Sequence, residues 1–112
     1  MNMRSTFRAT CALTLAALTL LRVASAAEPT STVVVEIRGF AFNPASIVVH
    51  PGTTVVWKNL DDEPHSVVGD TGRFRSGALD TGESFSYTFD AAGTYQFVCS
   101  LHPHMTGVVR VQ

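Results

Sequence analysis

The sequence is poor in charge, in cysteine and in long apolar runs. Charged residues make up 15% of the 112 residues, and the formal net charge is −1. Because there is no excess of positive charge, we expect neither nucleic acid nor an anionic membrane surface as a partner. The longest apolar run, from Ala9 to Leu21, is about 13 residues, whereas a membrane-spanning helix needs about 20. We therefore expect no stable membrane anchor.

The N-terminal segment has the three-part layout of a secretory signal peptide. Two arginines precede the apolar run, and small residues follow it, with Ala24 and Ala26 in the arrangement that signal peptidase cleaves. We predict that residues 1–26 are a signal peptide cleaved near Ala26, and that residues 27–112 form one small domain. The protein is then expected to be exported.

Removal of the predicted signal peptide changes two properties of the chain. The remaining domain keeps five basic and nine acidic residues, a formal charge of −4. It also keeps a single cysteine, Cys99, because Cys11 leaves with the signal peptide. An unpaired thiol in an oxidising compartment needs a role. The candidates are an intermolecular disulfide, a nucleophile, a metal thiolate or an inert buried side chain.

The domain has the pattern of an all-β fold. Short runs rich in Val, Ile, Phe, Tyr and Thr alternate with turn residues, and no window shows a helical period. About seven or eight short strands in a chain of this length predict a Greek-key β-sandwich or barrel. The predicted strands are Thr32–Arg38, Ser46–His50, Thr53–Asn59, His65–Gly69, Ser84–Phe89, Thr94–Cys99 and Gly107–Val111.

Strand alternation predicts which side chains face the core. Phe97 and Cys99 lie on the same face of their strand, so the thiol is expected to be buried. Trp57 and Asn59 share a face in the same way, which brings an amide inward where that strand ends.

One short segment concentrates the residues that bind soft metals. It reads Cys-Ser-Leu-His-Pro-His-Met, and it places Cys99, His102 and Met105 three residues apart. Residues at this spacing recur on one side of a tight loop, and His65 can complete the set from a neighbouring strand. One Cys, two His and a weak axial Met are the ligands of a blue-copper site. We expect His104 to point away, because it directly adjoins Met105.

Other sites and functions use some of the same residues. A structural zinc site would use the Cys and His residues, but a thioether is a poor zinc ligand. A binuclear copper site would need a second cysteine in the loop. A Cys–His hydrolase would need an oxyanion hole and a substrate cleft, for which the domain has little room. A periplasmic copper carrier or copper-resistance protein could use the same four ligands, and it stays open as the main alternative to electron transfer.

The domain resembles the cupredoxins, the blue type 1 copper proteins of the plastocyanin/amicyanin group, and its ligand loop is closest to that of amicyanin. The segments that carry the resemblance are Phe40–Pro44, Pro51–Asn59, Pro64–Ser66, Gly93–Cys99 and His102–Gly107. Within the last segment, the short loop from Cys99 to Met105 has the family's ligand spacing. The resemblance covers nearly all of residues 27–112.

The resemblance implies a fold, a site and a function. It implies an eight-stranded Greek-key sandwich, one copper ion and single-electron transfer in the periplasm, without enzymatic activity. The ligands carried over from the family are His65, Cys99, His102 and Met105. Its partners would be redox proteins, such as a c-type cytochrome or a periplasmic dehydrogenase or reductase, and the protein itself is expected to be a monomer.

Further residues are expected to tune or expose this site. Asn59 matches the family's asparagine that hydrogen-bonds near the copper loop, and Pro103 lies inside that loop. Ser66 departs from the family pattern, because many members have Asn at this position. Leu101 and Pro103 flank His102 and would form the patch where electrons leave. The acidic run Asp61, Asp62 and Glu63 is interpreted as a solvated loop.

Overall fold

The computed structural model describes residue 12, residues 15–21 and residues 31–112. The predicted cleavage position at Ala26 and the start of the predicted domain at Ala27 lie outside the described residues, so both stay predictions. In the part of the chain that the structure describes, no helix has the length and apolar character needed to cross a membrane.

The domain is all β, as its alternating pattern predicts. Within residues 31–112 it has eight strands, which are β1 Thr32–Arg38, β2 Ala41–Asn43, β3 Ser46–Val49, β4 Thr53–Asn59, β5 Val68–Gly69, β6 Ser84–Phe89, β7 Gly93–Val98 and β8 Thr106–Val111. They form two four-stranded sheets with the strand orders β2-β1-β4-β6 and β3-β8-β7-β5. Each sheet contains one parallel pair, β1 with β4 and β3 with β8, and the other pairs are antiparallel.

The prediction of a strand over His65–Gly69 is wrong for most of its length. Only Val68–Gly69 form a strand, and His65 pairs through an isolated bridge with Leu79. The reason is that the bridges His65–Leu79 and Val68–Arg75 differ by one residue in register, so they do not join into a continuous ladder. A further strand, Ala41–Asn43, was not predicted because three residues are too few to display alternation.

The core lies between the two sheets and is centred on Trp57. The indole ring is stacked with Phe74 and Phe85, and it meets Phe89 and Phe97 edge-on. Because inward residues alternate with outward ones along each strand, aromatic side chains from both sheets reach this centre. The indole N–H is buried and has no hydrogen-bond acceptor among the described residues.

Close packing at Gly107 brings β8 against this core. A methyl group on Gly107 would overlap the ring of Phe97 and crowd the carbonyl oxygen of Ala45. Only a residue without a side chain lets β8 approach so closely. The approach matters for the site, because β7 and β8 are the strands joined by the Cys99–Met105 loop.

Candidate metal centre

Three of the predicted ligands converge at one end of the sandwich. The donor atoms of His65, Cys99 and His102 all lie within 4.8 Å of one another. The two Nδ1 atoms are 3.1 Å apart, and the Cys99 sulfur lies 3.8 Å from that of His65 and 3.7 Å from that of His102. The fourth predicted ligand, Met105, is buried in the loop that carries two of them.

His65 is held by its backbone and is completely buried. Its N–H donates to the carbonyl of Leu79 at 3.1 Å, and its own carbonyl accepts the Leu79 N–H at 2.6 Å. The side chain has no exposed surface. This bridge fixes the position of the ligand although His65 lies outside any regular strand.

Asp61 fixes the orientation of the His65 ring, which corrects the interpretation of the acidic run as a solvated loop at this one residue, whereas Asp62 and Glu63 are exposed. The His65 Nε2–H donates to the Asp61 carboxylate at 2.8 Å. The same carboxylate accepts the backbone N–H groups of Gly39 at 2.6 Å and Phe40 at 2.9 Å. With its proton on Nε2, His65 directs the Nδ1 lone pair toward the other donors.

The electrostatics of Asp61 follow from these bonds. Partial burial raises the pKa of the Asp61 carboxyl group, but hydrogen bonds from the backbone of Phe40 and Gly39, together with His65, lower it more. The net effect places the pKa of Asp61 below its ordinary value of 3.8. The carboxylate is therefore ionised at neutral pH.

Asn59 organises the loop that leads to His65. Its side-chain N–H₂ donates to the carbonyls of Glu63 at 2.8 Å and Leu79 at 2.9 Å, and its carbonyl oxygen accepts the Asp61 N–H at 3.0 Å. The side chain is fully buried. All these bonds are to the residues around His65, so the amide supports the upstream ligand rather than the Cys99–Met105 loop.

The Cys99–Met105 loop explains the three-residue spacing of its ligands. The His102 N–H donates to the Cys99 carbonyl at 3.3 Å, and the Met105 N–H donates to the His102 carbonyl at 2.9 Å. The Cys99 N–H donates to the Met105 carbonyl at 3.0 Å, which closes the loop. Two successive turns thus return each ligand to the same side.

Ser66 connects the two ligand-bearing segments. Its N–H donates to the Cys99 sulfur at 3.3 Å, and its hydroxyl lies 3.9 Å from the same atom. The hydroxyl oxygen also accepts the Ser100 N–H at 2.8 Å and lies 2.7 Å from the Ser100 hydroxyl. A serine here therefore joins both segments through one side-chain oxygen.

The outer rim of the site is apolar and partly open to solvent. Phe40 and Leu101 are each 50% exposed, and His102 lies between buried and exposed. Pro103 and His104 are exposed. His104 does not belong to the group of converging donors in the described part of the chain.

The donor set fits one copper ion. Nitrogen and sulfur donors bond first-row metals at about 2.0 and 2.3 Å, so donors 3.1 to 3.8 Å apart can share a single ion. Two Nδ1 lone pairs at 3.1 Å would repel each other without a proton or cation between them. A thiolate, two imidazoles and a thioether select copper over zinc, which does not favour thioether sulfur.

Three residues of the site were not predicted to belong to it. Asp61 is one of three consecutive acidic residues, and nothing in that run tells which one faces inward. Phe40 reaches the site through tertiary contacts alone, and Ser100, although it follows Cys99 directly, joins the site through its hydrogen bonds to Ser66.

Comparison with known proteins agrees with the site. The family described as "Copper binding proteins, plastocyanin/azurin family" matches residues 29–112. Amicyanin of Paracoccus versutus is 33% identical over 95 residues, which cover 80% of this chain and 72% of the relative. Plastocyanin of Scenedesmus fuscus is 38% identical over 84 residues, which cover 63% of this chain and 86% of the relative.

Solved structures give the same result for the fold. The crystal structure of amicyanin from Paracoccus versutus superposes with a TM-score of 0.66 at 30% identity. The match covers 75% of this chain and 84% of the amicyanin chain. A copper-containing nitrite reductase from Thermus scotoductus matches with a TM-score of 0.68 at 33% identity, over 78% of this chain and 23% of the reductase chain.

Proposed function

The chain belongs to the plastocyanin/azurin family of copper-binding proteins, and from this premise we propose that it is an exported, non-enzymatic electron carrier. The observation that carries the proposal is the unequal exposure of its two imidazole ligands. His65 is completely buried, whereas the His102 ring reaches a rim on which Phe40 and Leu101 are half exposed. One ligand is thereby shielded from solvent and the other is available to a partner.

The residues around the site favour electron transfer without large movement. A bound copper ion would cycle between Cu(I) and Cu(II), taking one electron from a donor and giving it to an acceptor. Asp61 keeps the His65 ring in one tautomer, and the closed loop from Cys99 to Met105 holds the other ligands. Because these positions are set by the fold, little of the site has to rearrange when the charge changes.

Hydrogen bonds to the cysteine sulfur would set the reduction potential. The Ser66 N–H donates directly to the Cys99 sulfur, and burial of Cys99 excludes water from it. A donor to a thiolate draws electron density from the metal–sulfur bond. Asn59 would affect the potential indirectly, because it holds the loop that leads to His65. Pro103 would limit the conformations of the loop that carries His102.

The surface patch formed by Leu101, His102 and Pro103 would dock the redox partners. We propose soluble redox proteins for this role, such as a c-type cytochrome or a periplasmic dehydrogenase or reductase. An apolar patch around one ligand edge suits brief contacts, which release the partner quickly after transfer. The protein would act as a monomer, so that this patch stays free.

We further propose that residues 1–26 direct export and that the domain works in the periplasm. The basic start, the short apolar run and the Ala24–Ala26 pattern support this part of the proposal. N-terminal sequencing of protein recovered from a periplasmic fraction tests it. The expected first residue is Ala27, and an uncleaved chain in the cytoplasm would contradict it.

The test of electron transfer is spectroscopic and kinetic. The copper-loaded protein should show an intense blue absorption band that ascorbate bleaches and ferricyanide restores over repeated cycles. Stopped-flow mixing with reduced cytochrome c should give rapid cytochrome oxidation that slows in Leu101→Asp. A blue protein that releases its copper to a chelator within each cycle would instead be a copper carrier.

A further inference from the structure

The turn between β1 and β2 holds a bulky residue in an unfavourable backbone conformation. Arg38 pairs with Ala41, so Gly39 and Phe40 form a two-residue hairpin connection. Both residues have φ of +56°. This region suits Gly and Asn, whereas the Cβ of any other side chain meets the backbone there. Phe40 therefore adopts a conformation that its own side chain disfavours.

The side chain of Phe40 touches both imidazole ligands. Its ring centroid lies 5.2 Å from that of His65 and 5.0 Å from that of His102, with interplanar angles of 89° and 88°. These are edge-to-face contacts, the arrangement that aromatic rings prefer. The two imidazoles lie 4.8 Å apart, so one ring covers the outer side of the pair.

Asp61 ties this turn to the metal centre. Its carboxylate accepts the N–H groups of both turn residues and also the Nε2–H of His65. Successive N–H groups in a left-handed turn form a concavity that binds an anion. The same carboxylate thus stabilises the strained turn and orients one of the imidazoles that the Phe40 ring covers.

We propose that Phe40 is a positioning residue whose ring restrains the His65 and His102 imidazoles, and that the strained turn is retained for this purpose. Strained backbone persists where the surrounding structure determines it, and it is concentrated at functional sites. The role concerns the copper site of the proposed function and does not depend on which redox proteins exchange electrons with it.

The experiment compares Phe40→Ala with Phe40→Gly in the full domain. Both variants remove the ring, but only glycine relieves the backbone strain. Glycine normally destabilises relative to alanine because it is freer in the unfolded state. Here we expect the reverse order, with the metal-free Phe40→Gly domain unfolding at the higher temperature. If Phe40→Gly instead unfolds at a lower temperature than Phe40→Ala, the claim that the Phe40 backbone is strained is overturned.

The second measurement follows copper retention and ligand motion. Both variants should lose Cu(I) to excess chelator about tenfold faster than the wild type, the low end of the effect of residues that orient metal ligands. Phe40→Tyr keeps the ring and should restore slow loss, and Val48→Ala removes an exposed apolar side chain from a strand as a control. The NMR signals of the His102 ring in the Cu(I) protein should broaden in the ring-less variants only.

The outcomes separate this inference from the proposed function. Unchanged chelator kinetics and unchanged His102 signals in both ring-less variants would overturn the positioning role, even if the protein transfers electrons. Faster copper loss in these variants would support the role, even if the wild type fails to oxidise cytochrome c.

Discussion

The two segments that supply the metal ligands are built in different ways. The upstream segment, Asn59–Ser66, is fixed by side-chain hydrogen bonds: the buried Asn59 amide and the partly buried Asp61 carboxylate hold the loop and the His65 ring. The downstream segment, Cys99–Met105, is closed by its own backbone hydrogen bonds, and Leu101 is half exposed.

The two segments meet two different requirements, a fixed ligand position and an edge that is open to a partner. The upstream segment defines where one ligand lies, because the Asn59 amide and the Asp61 carboxylate each hydrogen-bond to the residues around it. The downstream segment is short enough to stay closed while it presents apolar surface to solvent. A carrier needs both a rigid ligand set and an accessible edge, and neither segment alone provides them.

The largest effect should come from Cys99, where the two segments meet. Cys99→Ser replaces the sulfur that receives the Ser66 N–H, and a hydroxyl is a much weaker copper donor. We expect complete loss of the intense blue band. Far-ultraviolet circular dichroism of the metal-free variant should remain that of the wild type, because the substitution keeps the size of the side chain. A protein that stays intensely blue would refute the ligand assignment.

The second largest effect tests the upstream segment through Asp61. Asp61→Asn removes a charge that accepts three hydrogen bonds, and bonds to a charged group contribute roughly 1.5–3 kcal/mol each. Because these bonds are coupled and the carboxylate is partly exposed, we expect a total loss of about 2 kcal/mol in the free energy of unfolding at pH 7. Urea unfolding of the metal-free protein measures it.

The pH dependence of this loss has a definite sign. The pKa of Asp61 is lowered in the folded protein, so its stabilisation is complete above the unfolded pKa of about 3.9 and is lost as pH falls through the folded pKa. The difference in stability between wild type and Asp61→Asn should therefore shrink below about pH 4. A difference that stays constant down to pH 2 would contradict the role of the charge.

Met105 tests the downstream segment at the buried ligand that ends its loop. Met105→Gln replaces a weak axial thioether with an amide oxygen, a change that alters the potential more than the binding of copper. We expect copper to remain bound and the reduction potential to fall. Voltammetry of the variant beside the wild type measures this shift. A variant unable to retain copper would show that Met105 assembles the site instead of tuning it.

The sequence predicted the metal ligands better than it predicted the residues that hold those ligands in place. The three-residue spacing identified Cys99, His102 and Met105, because two successive turns place the three side chains on the same side of the loop. The alternation of inward and outward side chains along the strand predicted that the Asn59 amide faces the core, and Asn59 is fully buried. Both signals are local, so they can be detected without the fold.

The ligands are held in place by contacts between residues that are far apart in the sequence. The bonds from the β1–β2 turn to Asp61 span more than 20 residues, and the contact between Phe40 and His102 spans more than 60. The short strand β2 and the interrupted ladder at His65 depend on pairing partners, since neither has a run long enough to show a period. Such features follow from tertiary structure alone.

A smaller effect concerns the bridge between the segments. Ser66→Ala removes the hydroxyl that accepts the Ser100 N–H and lies 3.9 Å from the Cys99 sulfur, but it keeps the shorter backbone donor. Loss of a donor to the sulfur should lower the reduction potential. The fall should be smaller than in Met105→Gln, because the hydroxyl is the more distant and weaker of the two donors to the sulfur and the backbone N–H remains. An unchanged potential would show that the hydroxyl donates to Ser100 and not toward the sulfur.

The smallest effect is expected at His104, which serves as the control within the loop. His104 is exposed, and its neighbour Met105 points inward. His104→Ala should leave the absorption spectrum and the reduction potential almost unchanged. If the colour disappears in this variant and survives in His102→Ala, the wrong histidine has been assigned.

The parallel pairing of β3 with β8 has a consequence for how the protein is made. The segment that begins at Ser46 finds its partner only after residues 106–111 have been synthesised. Pairings between such distant parts of a chain form slowly, because a long loop must close first. The hairpin of β7 and β8 also brings three of the four copper ligands with it. An incomplete chain therefore cannot assemble the site, and capture of the metal depends on completion of the second sheet.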